Sequence, residues 1–190
     1  TSLYSNLNFN FMRDIAPVAG IARVPMVLIV HPSVPATTIP ELLAYIKANP
    51  RKINMASSGI GTTPHLAGEL FRMMAGVETQ HIPYRGAAPA LTDLLAGQVQ
   101  LYFSTTPSSM EYIRTGRVRG LAVTTATRLE VLPDLPAISE YVQGYEASAW
   151  YGVGAPRETS RQIVEKLNRE INAVLADSRM KSKLDDLGCV

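Results

Sequence analysis

Between residues 53 and 109 the chain repeats one local pattern: a short apolar run ends in glycine and hydroxyl residues. Ile53-Asn54-Met55-Ala56 runs into Ser57-Ser58-Gly59-Ile60-Gly61-Thr62-Thr63, and a helix opens near Pro64. His81-Ile82-Pro83-Tyr84 runs into a turn at Gly86 and a helix through Leu91, Leu94 and Leu95, closed by Gly97. Val99, Leu101 and Phe103 alternate as a strand that ends in Ser104-Thr105-Thr106-Pro107-Ser108-Ser109, and Leu121 to Thr124 forms another. Strands that alternate with helices of about 10–15 residues demand βαβ units and a mainly parallel sheet. Val24-Pro25-Met26-Val27-Leu28-Ile29-Val30 fits that sheet as a strand covered on both faces.

The flanking signals are local. Asp14 to Ile21 reads as a short strand, and Thr38-Ile39-Pro40-Glu41 as a capping box opening a helix with Leu42, Leu43 and Ile46. The helix after Pro64 is expected to bury Leu66, Leu70 and Met74, with Gly76 as its left-handed stop. Thr159-Ser160-Arg161-Gln162 reads as a second capping box, opening the longest helix with the stripe Ile163, Leu167, Ile171, Val174 and Leu175. Tyr145, Trp150 and Tyr151 are expected to pack together, and Met26, Met55, Met73, Met74 and Met110 to fill the core. Breaks near residues 24 and 125 divide the chain into 1–23, 24–124 and 125–190. The middle piece is one whole α/β lobe, and the outer two belong to another.

Composition removes several function classes. The 18 Lys and Arg against 16 Asp and Glu leave a net charge of +2, so nucleic acid is not an expected partner. One cysteine, Cys189, excludes an internal disulfide, and His31, His65 and His81 lack metal-type spacing, so no metal or cofactor is expected. The N-terminal residues carry no secretory signal pattern.

The three junctions carry the functional content. In an open parallel sheet, ligands gather beyond the carboxyl ends of the strands, so all three junctions fall on one rim. Glycines admit close backbone approach, and a helix start offers unpaired N–H groups with partial positive charge. Ser57, Ser58, Gly59, Gly61, Thr62 and Thr63 therefore form an uncharged anion cradle. Tyr84 and Gly86 from the second junction, and Ser104 and Thr105 from the third, complete the candidate site. The cradle lacks the lysine of a nucleotide P-loop, and an ordinary βα turn capped by Thr63 is the plain alternative. A hydrolase would need Ser58 as nucleophile with His65 as base, and no nucleophile-elbow motif supports it.

These junctions, with Arg13-Asp14-Ile15-Ala16-Pro17-Val18, Ala48-Asn49-Pro50, Pro83-Tyr84-Arg85-Gly86, Ala96-Gly97-Gln98-Val99, Leu132-Pro133-Asp134-Leu135-Pro136 and Trp150-Tyr151-Gly152, run in order along the chain. They resemble the Bug or TctC solute-binding receptors of tripartite tricarboxylate transporters. The resemblance implies a periplasmic-binding-protein-like (type II) α/β fold with one complete parallel-sheet lobe and an incomplete second lobe. It also implies a periplasmic, non-enzymatic receptor that closes on a small di- or tricarboxylate or acidic amino acid, with the transporter's membrane components as partners. Relative to the family, the chain reads as a fragment lacking an N-terminal Gly-Gly-…-Asp loop. Its exposed sheet edge is expected to favour self-association. The rival reading is an effector-binding domain of a transcription regulator.

Overall fold

The computed structural model describes residues 6–50 and 52–189. The chain divides into two units, Val24–Ala149 and Thr1–Arg23 with Trp150–Val190. Residues 125–149, expected with the outer segments, thus group with the central unit. The reason is packing: Val123 bridges to Ala137, and Ile138, Val142 and Tyr145 are buried in the central core.

The central unit is built on β1 (Ile15–Val30, of which residues 24–30 lie here), β2 (Asn54–Ser57), β3 (Gln80–Pro83), β4 (Leu101–Thr105) and β5 (Arg119–Val123), ordered β3-β2-β4-β1-β5. β2 is parallel to β3 and to β4, whereas β1 is antiparallel to β4 and β5. The sheet is therefore mixed. The βαβ rule governs β2, β3 and β4, but β1 is inserted between β4 and β5 from the other end of the chain's path, which no local pattern reveals. β1 is also one 16-residue strand where sequence reads two pieces. Pro25 is tolerated because the ladders to β4 and β5 begin at Met26 and Val27, leaving proline's missing donor outside them.

Alternate residues of the strands feed two cores, one on each face. Met26, Leu28, Val30, Met55, Leu101 and Phe103 join one, and Val27, Ile29, Ala56, Tyr102 and Val123 the other. Helices α2 (Ile39–Ala48), α3 (Thr63–Ala75), α4 (Ala87–Leu95) and α5 (Thr106–Arg114) belong to this unit. Thr38 caps α2 by accepting from Glu41 N at 3.3 Å, but Glu41 reaches Thr37 N at 2.7 Å rather than the cap residue itself. Gly76 stops α3 in the left-handed region (φ 61°).

The buried face of α3 differs from the expected one. Pro64, Ala67, Gly68 and Phe71 are buried, while Leu66 is 53% exposed and Met74 37%. Aromatic packing and close approach override the leucine spacing. Phe71 lies 5.7 Å from the Phe103 ring and edge-on to Tyr145 at 6.1 Å, and a Cβ at Gly68 would collide with the Met55 thioether. Tyr145 closes this core by donating to Ala67 O at 3.0 Å. Met26, Met55 and Met110 fill core as expected, whereas Met73 is exposed.

The other unit comprises α1 (Phe11–Asp14), the first part of β1, the residues of its partner β6 (Ser148–Pro156) from Trp150 on, α6 (Arg161–Ala176) and α7 (Ser178–Asp186). Its second capping box does not form: Ser160 is the N-cap and makes no side-chain cap bond. The stripe on α6 is only partly covered: Ile163, Leu167 and Val174 are exposed, and Ile171 and Leu175 are half-buried. Asn168 anchors the helix by donating to Val18 O at 2.6 Å. Of the aromatics expected to pack together, Tyr145 is buried in the central core, while Trp150 and Tyr151 are exposed.

The corrected α3 face has a direct consequence for stability. Phe71→Ala is expected to destabilise the protein by about 3–5 kcal/mol, and Leu66→Ala by under about 0.5 kcal/mol. Urea unfolding of both variants measures this; equal losses would restore the leucine face.

Candidate functional site: three helix starts on one sheet edge

Because β3, β2 and β4 are adjacent and parallel, their carboxyl ends share one edge, and α3, α4 and α5 all start there. Each helix carries a proline in its first turn: Pro64 and Pro107 at the second position, Pro89 at the third. Proline has no N–H to leave unpaired there and its φ suits a helix start. The first N–H groups of a helix have no intrahelical acceptor. Thr62 N donates to Gly59 O at 3.2 Å, and Thr63 and His65 carry the first-turn N–H groups of α3. Gly86 N donates to Ser58 O at 3.1 Å, and Ala87 and Ala88 carry those of α4.

The first loop is shaped by two glycines and tied at several points. Gly59 (φ 134°) and Gly61 (φ 80°) adopt backbone that other residues resist. A Cβ on Gly59 would sit 3.2 Å from Tyr84 O, so the first and second junctions touch here. Thr62 Oγ1 donates to Gly59 O at 2.7 Å, and Ser58 Oγ meets the Tyr102 hydroxyl at 2.6 Å. Tyr84 N donates to Ser57 O at 2.9 Å, extending the β2–β3 ladder into the loops.

The candidate residues divide by exposure. Ser58, Gly59, Gly61, Thr62, Thr63 and Gly86 are half-buried on the edge. Ser57 and Ser104 are fully buried and hold the loops from beneath instead of facing solvent. Ser57 Oγ contacts His81 Nε2 at 2.6 Å, and Ser104 Oγ donates to Thr105 O at 3.4 Å. Thr105 Oγ1 pairs with Ser108 Oγ at 2.8 Å across the start of α5. The Tyr84 hydroxyl donates to Asp93 at 2.6 Å, so it braces α4 against β3. Arg85 projects into solvent, and the edge donors named above are all uncharged.

The hydrolase reading fails on geometry. Ser58 is bonded to Tyr102, while His65 Nδ1 accepts from Gly61 N at 3.1 Å, so nucleophile and base have other partners. Among the candidate serines, Ser57 meets a histidine but is enclosed. That contact belongs to a cluster the sequence did not reveal. His65 and His81 stack with ring centroids 4.2 Å apart, and Glu69 lies beside them. Only the one-turn spacing of His65 and Glu69 was readable; the strand partner was not. Burial, then the neighbouring His65, pushes the His81 imidazole pKa below its usual range, while Glu69 pulls the other way.

Cavity volume does not single out this edge. An apolar groove of about 800 Å³ lies wholly in the other unit, lined by Phe9, Phe11, Met12, Trp150 and Val153 among others. Donor chemistry, rather than enclosure, marks the edge described above.

Burial, and then the bond to Asp93, raise the Tyr84 phenol to about 12, and burial also raises Tyr102 and Tyr145. In the unfolded chain Tyr84 ionises near 10, so its stabilising contribution is complete below about pH 10 and is lost as pH rises toward 12. A spectrophotometric titration is expected to show late-ionising phenols among the 8 tyrosines, one of them absent in Tyr84→Phe. An unchanged late phase in that variant would contradict the Tyr84–Asp93 bond.

Residues 1–189 match the family model described as tripartite tricarboxylate transporter family receptor. A curated relative is the protein of the tcbD-tcbE intergenic region of Pseudomonas sp. strain P51. It is 40% identical over 187 residues, covering 97% of this chain and 56% of its own length. Among solved structures, an R. palustris protein with adipate is 41% identical with TM-score 0.94, covering 98% of this chain and 62% of that one. The periplasmic binding protein BugD is 38% identical with TM-score 0.86, covering 92% and 59%. MatC from Rhodopseudomonas palustris with bound malate is 28% identical with TM-score 0.89, covering 100% and 65%. The chain thus spans about half the length of the curated relatives it matches. The periplasmic-binding-protein fold expected from sequence agrees with these neighbours.

Proposed function

We propose that this chain, which belongs to the tripartite tricarboxylate transporter receptor family, is the ligand-gripping part of a periplasmic receptor for a small dicarboxylate. Members of this family are solute-binding receptors and not enzymes. The dicarboxylate is then delivered to a membrane transporter. Residues 24–149 are the lobe that grips the ligand, and the other unit contributes to the second lobe.

The observation that carries this reading is the meeting of helix starts on one edge, beside loops rich in glycine and hydroxyls. A carboxylate there accepts from Thr63, His65, Ala87 and Ala88 N–H groups, with the half-buried Ser58 and Thr63 side chains as further donors. Hydrogen bonds to a charged acceptor contribute about 1.5–3 kcal/mol each, and aligned helix starts add favourable dipole terms. Adipate and malate in the two solved relatives are both dicarboxylates, which supports this ligand class. Neutral donors also suit a receptor that must release what it binds, because no buried counter-charge is left unpaired afterwards.

Calorimetric titration of adipate and malate into the receptor at its relatives' full length tests the reading. One equivalent is expected to bind, and Gly59→Ala to weaken affinity at least about tenfold, because φ 134° and the nearby Tyr84 O resist a Cβ. Equal binding of a neutral diamide of the same length, or an indifferent Gly59→Ala, would overturn it.

A further inference from the structure

We propose that His65, Glu69 and His81 form a binding site for a borderline divalent cation, Zn²⁺ foremost, beneath the glycine loop. This does not rest on the dicarboxylate reading. His65 stands in the first turn of α3, Glu69 one turn later, and His81 on the edge strand β3. The two rings stack at 4.2 Å with 24° between planes, and one ligand atom from each of the three residues lies within 4.8 Å of the others. All three are half-buried, so a cation has a route in and partly desolvated ligands on arrival.

The donor set selects the ion. Two imidazoles and one carboxylate with a position left for water is a zinc-type set, and hard oxygen-seeking cations such as Mg²⁺ are poorly served by it. Zinc bonds of about 2.0–2.1 Å in tetrahedral array require ligand atoms roughly 3.4 Å apart, so side-chain rotation of about an ångström closes the site. His81 is already oriented. If it binds through Nδ1, its Nε2–H donates to the buried Ser57 Oγ, 2.6 Å away, and the serine hydrogen goes to Gly59 O at 3.3 Å. Such outer partners fix the tautomer and ring angle of a metal-bound histidine.

His65 supplies a coupling. Its Nδ1 accepts from Gly61 N at 3.1 Å. A metal on Nε2 requires a proton on Nδ1, and a metal on Nδ1 occupies the same lone pair. Either way the Gly61 N–H loses its acceptor, so cation binding must alter the loop at Gly61. Arg72 opposes the site, since its Nη1 holds both Glu69 oxygens at 2.8 Å. An ionised carboxylate has about four lone-pair positions, so Glu69 can serve both, at reduced metal affinity. Micromolar rather than nanomolar binding is expected.

The test uses this chain with Zn²⁺ in calorimetry and Co²⁺ as the visible probe. One equivalent of Zn²⁺ is expected to bind, Co²⁺ to give the intense d–d bands of four-coordination, and the Gly61 amide resonance to move on metal addition. His65→Gln and His81→Gln are each expected to lose more than about tenfold in affinity, and His31→Gln to lose nothing. Wild-type affinity in both the His65 and His81 variants, or loss in the His31 variant, would overturn the proposal. So would an unmoved Gly61 amide at saturating Zn²⁺, a measurement that needs no variant.

Discussion

The parallel pairing of β2 with β3 and β4 is the constraint on which the rest depends. Ser57 pairs with Pro83, so β2 and β3 end level, while Met55 pairs with Leu101 and β4 runs on to Thr105; the following helices all start on that edge. That register brings Gly59 against Tyr84 O and His81 beneath Ser57. It also sends alternate side chains to two cores, which hold the edge rigid from both faces. A shift of one residue in β2 would exchange Met55 and Ala56 between those cores and carry Ser57 to the face opposite His81.

The chemistry of the edge follows from how helix starts treat charge. Three prolines in three first turns shape the starts, and the remaining first-turn N–H groups have no intrahelical acceptor. The net charge of +2 on 190 residues agrees with the proposal that the edge attracts anions locally through dipoles and not through a basic field. Beneath the loop, the histidine pair joins the same hydrogen-bond set through Ser57 and Gly61, so the donors above and the titratable groups below share atoms.

Much of this was legible in the sequence where the signal is local. The three strand–loop–helix junctions, the left-handed stop at Gly76 and the cap at Thr38 each depend on a few adjacent residues. The direction and insertion of β1, the buried face of α3 and the grouping of residues 125–149 depend on partners far along the chain. Phe71 outcompetes Leu66 only because Phe103 and Tyr145 lie across from it. At the site, Ser58, Gly59, Gly61, Thr62, Thr63 and Gly86 were placed on the edge by pattern alone. Ser57 and Ser104 looked the same in sequence, but strand alternation at their level turns them inward. His81 was invisible as a partner of His65 because strand pairing, not spacing, joins them.

The central claim is that backbone donors at the helix starts hold a carboxylate. Amide chemical shifts recorded while adipate is added to the full-length receptor test it most directly. The largest shifts are expected at Thr63, His65, Ala87 and Ala88, with saturation at one equivalent. Shifts centred on Arg85 or on the apolar groove lined by Phe9, Phe11 and Trp150, with those four amides unmoved, would contradict it.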